Sequence, residues 1–147
     1  MTTVQQGIES ARVGTNPGLI CRVPSGWAVL CDMQYLRGYT ILLPDPCVES
    51  LNALDPGKRA GYLCDMALIG DALLEATGAY RINYAILGNS DPALHAHIIP
   101  RYLSEPDEVR RGGPWSYGQE VKDASKLDPA RDKELIIQIA TAIRKRL

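Results

Sequence analysis

The only two histidines of this chain stand two residues apart, in the run Leu94-His95-Ala96-His97-Ile98-Ile99. If the run is a strand, side chains alternate across it, so His95, His97 and Ile99 share one face and Leu94, Ala96 and Ile98 take the other. At roughly 3.3 Å per residue, the two imidazoles leave the backbone about 6.6 Å apart and can converge on one tetrahedral group. A neutral imidazole is a good nucleophile near neutral pH, because its ordinary pKa lies at about 6.5. A protonated neighbour can donate to phosphate oxygens, so the pair offers attack and charge stabilisation together.

Other uses of the same residues carry requirements that the sequence meets less well. A metal site needs a third ligand beside His95 and His97, yet the chain has no other His and no paired Cys motif, so Asp32 or Asp91 would have to serve. A serine nucleophile at Ser90, in Gly88-Asn89-Ser90, would need a second glycine two residues later and a following helix. Pro92 stands there instead, and a strand pattern follows. Two half-buried strand histidines without chemistry are the plainest alternative.

Turn chemistry and periodicity define the elements that must position this pair. Apolar segments at 19–23, 27–32 and 39–43 are cut by Pro24-Ser25-Gly26, Gly38 and Pro44, and they read as an antiparallel meander. Asp55-Pro56 is an N-cap followed by a first-turn proline. Tyr62, Leu63, Met66, Ile69, Leu73 and Leu74 then recur on one helix face before Gly78 stops the pattern. Strands at 80–87 and 94–101 flank the polar loop Gly88-Asn89-Ser90-Asp91-Pro92. A second Asp-Pro opening, at Asp128-Pro129, starts an amphipathic C-terminal helix bearing Leu135, Ile136, Ile139 and Ile143. The fold class is therefore α+β: an antiparallel five-stranded sheet with a long covering helix and a C-terminal amphipathic helix. Residues 1–18 form a polar N-terminal extension with at most a short helix at 5–12. Residues 103–127 are expected to be irregular.

A chain of 147 residues suits one domain. The formal charge of −1 gives no global reward for a nucleic acid polymer, and no run reaches the length of a membrane span. Four cysteines without C-x-x-C spacing, and an N-terminus without a signal-peptide core, read as reduced thiols in the cytoplasm.

The segment Asn83 to Arg101, NYAILGNSDPALHAHIIPR, resembles the signature of the histidine-triad (HIT) superfamily, His-φ-His-φ-His-φ-φ with φ apolar. The similarity runs back through Gly38-Tyr39-Thr40-Ile41-Leu42-Leu43-Pro44 and the long helix, covering roughly residues 20–117. The resemblance implies a domain at 19–117, with 118–147 packed on it as a helical segment. It implies a hydrolase or nucleotidyltransferase acting on the α-phosphate of nucleoside or dinucleoside polyphosphates. His95 matches the nucleophile that forms a covalent nucleotidyl-histidine, and His97 matches the histidine that contacts the reacting phosphate. Ala93 stands where the first histidine of the motif belongs. Its backbone carbonyl is implied to accept from His95 Nδ1–H and leave Nε2 free to attack.

Ser90 and Asn89 match loop positions that donate hydrogen bonds to phosphate or leaving group, and Asn83 resembles the strand Asn near the α-phosphate. Arg101 corresponds to a frequent arginine after the motif and is implied to bind the substrate. An acidic or amide residue near Asp32 is implied to hold the ribose hydroxyls, although ungapped alignment from Tyr39 lands on Cys31, one residue away. No cofactor is required, and Mg²⁺ enters only with a substrate polyphosphate. The partners implied are a nucleotide substrate and a second copy of the chain, with neither nucleic acid nor membrane. The alternatives are a catalytically inactive nucleotide sensor, suggested by Ala93 and the short Asn89, and a metal-dependent enzyme using the His95/His97 pair.

Overall fold

In the computed structural model, which describes residues 1–147, the first two strands are β1 (Leu19–Val23) and β2 (Gly26–Leu30). They are joined at Pro24-Ser25 and paired through Val23↔Gly26 and Arg22↔Trp27. Glycine is required at position 26, because a Cβ would lie 1.8 Å from the Leu43 carbonyl oxygen of the neighbouring strand. β3 (Thr40–Pro44) pairs antiparallel with β2, from Leu30↔Thr40 to Gly26↔Pro44. The order β1-β2-β3-β5-β4 leaves β4 (Arg81–Ala85) at one edge and brings β5 (Ala96–Arg101) between β3 and β4. Ile41 and Ala85 therefore flank His97 from either side.

The helices begin and end where capping chemistry dictates. In α2 (Pro56–Thr77) the Asp55 carboxylate accepts from Lys58 N–H, and Gly78 closes the helix at φ 72°. In α5 (Pro129–Arg144) the Asp128 carboxylate accepts from the Ala130 and Arg131 amides. Both pack on one face of the sheet. Tyr62, Ile69 and Leu73 of α2 and Leu135, Ile139 and Ile143 of α5 meet Ala28, Leu42, Ala96 and Ile98 in a single buried cluster. The C-terminal segment thus shares the core of the strands. Leu94, just before β5, and Ala96 and Ile98 within it go to this face, as alternation requires, which sends the histidines to the other.

That other face is covered in two patches. The N-terminal segment is no loose extension: α1 (Thr3–Arg12), opened by a Thr2/Gln5 capping box, packs Val4 and Ile8 onto Val29, Leu43 and Ala93. Residues 102–117 cover the far end, where Leu36, Tyr39 and Ile99 form a small cluster beside Tyr35, Tyr102 and Tyr117. This stretch is less irregular than its composition suggests, since it leads through α3 (Asp107–Arg110) to α4 (Gln119–Ala124).

Several strand ends retreat from the positions expected from pattern. β2 stops at Leu30 because the chain then leaves the sheet: Asp32 O accepts from Leu127 N–H and Ser125 O from Gln34 N–H. β4 covers 81–85, not 80–87, and β5 starts at Ala96, since Leu94 N–H is taken by Val48 O across a loop. No helix is long and apolar enough to cross a membrane.

Candidate active site

His95 sits one residue before β5 and His97 inside it, with ring centroids 5.0 Å apart at 70°. Both are half-buried on the α1 side of the sheet. His95 Nδ1 lies 2.8 Å from the carbonyl oxygen of Ala93. A carbonyl only accepts, so the ring proton sits on Nδ1 and the lone pair on Nε2. The contact implied by the resemblance is present without a histidine at position 93, because the backbone supplies it.

His97 has a different partner, one that the sequence did not reveal. Its Nδ1 is 2.6 Å from the hydroxyl of Tyr39, 58 residues earlier and only 2 % exposed. Burial raises the Tyr39 phenol far above its ordinary value, so it keeps its proton. His97 Nδ1 is the only hydrogen-bond partner of this buried hydroxyl, so the Tyr39 O–H donates to it. His97 is thereby protonated at Nε2. Burial, with the neighbouring His95 adding to it, lowers the His97 pKa to about 4. The expectation of a protonated neighbour is thus corrected: at neutral pH His97 is a neutral ring that presents one N–H. The pair offers a lone pair on one Nε2 and a donor on the other.

Two clefts meet at His95. The larger, about 370 Å³, runs between α1 and the β2–β3 face, with Val4, Val29, Ile41 and Leu43 as apolar walls and Asp32, Asp91 and His95 as polar ones. Asp91 Oδ2 caps α1 by accepting from Val4 N–H at 3.0 Å, while its Oδ1 is buried without a partner. The smaller, about 270 Å³, lies on the other side of His95, against Ser50, Asn52, Leu87 and Gly88. Asp32 is therefore brought to the same cleft as His95. Asn89 and Ser90 are exposed on the loop just ahead of His95, where Gly88 turns the chain at φ 80°.

Asn83 and Arg101 belong to a different arrangement. Asn83 pairs with Ile99 and shares the histidine face, but its Oδ1 accepts from Arg101 Nη1 at 2.8 Å. Arg101 is 2 % exposed and spends its remaining donors on Glu105 and on the carbonyls of Val109, Arg110 and Gly112. It has no N–H left for a substrate, which corrects its assignment as a binding residue. A buried guanidinium must be neutralised and fully hydrogen-bonded, and Glu105 does that here. Burial pushes the Glu105 carboxyl up, but hydrogen bonds from Arg101, Tyr117 and the Tyr102 amide prevail and hold it below its ordinary range. This network, with Tyr35 O–H donating to Pro114 O at 2.7 Å, fixes the stretch that sets Trp115 edge-on to His97, 5.4 Å between centroids. Trp115 is 40 % exposed at the rim of the site.

No three His, Cys, Asp or Glu side chains lie close enough together to hold a metal ion. No protein-family model matches the sequence, and no curated protein matches it significantly. Solved structures do. A histidine-triad protein from Sinorhizobium meliloti 1021 superposes with TM-score 0.69 at 24% identity, over 92% of this chain and 93% of its own. A histidine-triad protein from Bradyrhizobium japonicum gives 0.67 at 23% identity, over the same shares of the two chains. A zinc-bound histidine-triad family protein from Mycobacterium smegmatis gives 0.66 at 22% identity, over 97% and 96%. The sheet and helices described above are those of the histidine-triad fold.

Proposed function

We propose that this chain of histidine-triad fold is a nucleotidyl hydrolase or transferase with His95 as its nucleophile. The observation that carries the reading is the His95 Nδ1–H bond to Ala93 O, which leaves Nε2 unprotonated where two clefts meet. The larger cleft suits a nucleoside, with apolar walls for a base and Asp32 near its ribose. The α-phosphate then lies over the two histidines. His95 Nε2 attacks phosphorus, forming the P–N bond as the P–O bond to the leaving group breaks; the leaving oxygen departs with its charge stabilised by Ser90 and by His97 Nε2–H. Water, or another acceptor, next attacks the same phosphorus and loses its proton. The P–N bond breaks, and the mononucleotide product leaves His95 as it began. Asn89 and the N–H donors of Asn83 serve the phosphate oxygens, and Mg²⁺ comes only with the substrate.

The unpaired edge of β4, together with Tyr84 exposed on that strand, supports a homodimer with a continuous sheet. Reduced thiols support a cytoplasmic site of action. Incubation with a dinucleoside polyphosphate, quenched at neutral or alkaline pH, yields an acid-labile mass increase of one mononucleotide, absent in His95→Ala. Failure to find adduct or turnover across a panel of AMP-linked substrates overturns the proposal.

One observation favours a second reading. Ala93 puts a buried methyl, packed with Val4 and Ile8, where the motif has its first imidazole. On this reading the chain binds mononucleotides without turning them over. Calorimetry that finds tight AMP binding in a protein inert to every substrate would select it.

A further inference from the structure

On the α2 side of the sheet, away from both histidines, the β1–β2 turn, the end of β3 and the first turns of α2 enclose a cavity of about 370 Å³. That is within the range of small-molecule sites. Its walls are apolar and stiff: Pro24, Pro44, Pro46, Val48, Leu54 and the ring of Tyr62. Prolines fix their own φ, so the rim is preformed.

Three features of this cavity have no explanation within the chain itself. Ser25 Oγ is buried and has no hydrogen-bond partner, an arrangement that native structures avoid. Asp65, 7 % exposed, places its carboxylate in the cavity wall, and Oδ2 accepts from Ser25 N–H at 2.8 Å. No arginine or lysine nitrogen lies within ion-pair distance of it. Buried carboxylates are ordinarily paired. The neighbouring Asp45 is different, because Arg12, Arg22 and Trp27 Nε1 already occupy it. Lys58 stands exposed at the mouth. Lastly, Gly61 lies inside α2, where glycine is the poorest residue after proline, yet a Cβ there would meet nothing within 4 Å. The chain gains no close packing from that glycine. What its absent side chain provides is open space at the cavity wall.

We infer that this cavity is a second ligand site, separate from the histidines, that takes a compact apolar amine. The apolar body would lie among the prolines and Tyr62. Its ammonium would donate to the Asp65 carboxylate and to Ser25 Oγ, supplying the two groups that the chain leaves short of partners.

The test is a titration of the isotope-labelled full chain with phenethylamine, followed by amide chemical shifts, with phenethyl alcohol as the uncharged control. Saturable shifts are expected at Ser25, Gly61 and Asp65, with the amides of residues 93–97 unmoved. The alcohol should bind at least about tenfold more weakly, the difference expected for loss of one charge-assisted hydrogen bond. Asp65→Asn retains an oxygen for the Ser25 amide and should lose a similar factor. Gly61→Met fills the space, keeps a good helix former at that position and should abolish the shifts. Absence of saturable shifts in the unaltered chain overturns the proposal. So does equal binding of amine and alcohol, or undiminished binding by Gly61→Met. None of these results bears on His95, whose adduct is read separately.

Discussion

Two polar clusters share the α1 side of this sheet, and they differ in what they leave undone. Around Arg101, every donor is matched: Glu105, the Asn83 amide and three backbone carbonyls take the guanidinium completely. Around His95 and His97, each ring has one nitrogen fixed, by Ala93 O and by the Tyr39 hydroxyl, and one nitrogen left toward the cleft. The first arrangement can do nothing but hold a loop. The second is held as firmly but keeps a lone pair and an N–H in reserve. Burial and charge do not separate these two clusters; the unspent donor or acceptor does.

The largest effect that separates the clusters is at His95. Substitution by Ala should lower turnover by about 10⁴-fold or more, while the melting temperature changes little. A variant that melts far below the parent would mean that His95 is part of the scaffold after all. Arg101→Ala should do the reverse. Removing it strands Glu105 in the interior and should destabilise the chain by about 3–5 kcal/mol in urea unfolding. Lysine at the same position should restore little, because an ammonium cannot reach carboxylate, amide and carbonyls at once. A stable Arg101→Ala with lost nucleotide binding would return Arg101 to the site.

Tyr39→Phe sharpens the comparison within the histidine pair. It removes the donor that places the His97 proton on Nε2, so kcat should fall by about ten- to a hundredfold with a much smaller change in KM. Ring-nitrogen chemical shifts of His97 should reveal the redistributed tautomer, a signal that loss of packing alone would not produce. The smallest effect is on stability against pH. The folded pKa of His97, about 4, lies below the ordinary value, so the unfolded chain binds the extra proton first as the pH falls. The contribution is intact above about pH 6.5 and is lost between there and pH 4. It should amount to about 1–2 kcal/mol once solvent screening of the half-buried ring is allowed for. His97→Gln should remove that part of the slope; an unchanged slope would mean that His97 is not the group responsible.

Much of this could be read locally. Alternation through Leu94-His95-Ala96-His97 placed both imidazoles on one face, because a strand has a period of two wherever it sits. Asp55-Pro56, Gly78 and Asp128-Pro129 marked helix ends to the residue, since caps are contacts between neighbours in the chain. The strand ends were overextended because pairing partners, such as Val48 for Leu94 and Leu127 for Asp32, come from distant segments.

What the sequence determined by itself was the fold class, the element order and the pair of histidines facing one way, all of which follow from short-range periodicity and turn chemistry. Tertiary structure alone decided that His97 is neutral and tied to Tyr39, that Arg101 is enclosed, and that Asp32 and α1 border the same cleft as His95. The physical reason is that protonation state and donor satisfaction depend on groups brought close in space from tens of residues away, and no local spacing encodes which of them will meet.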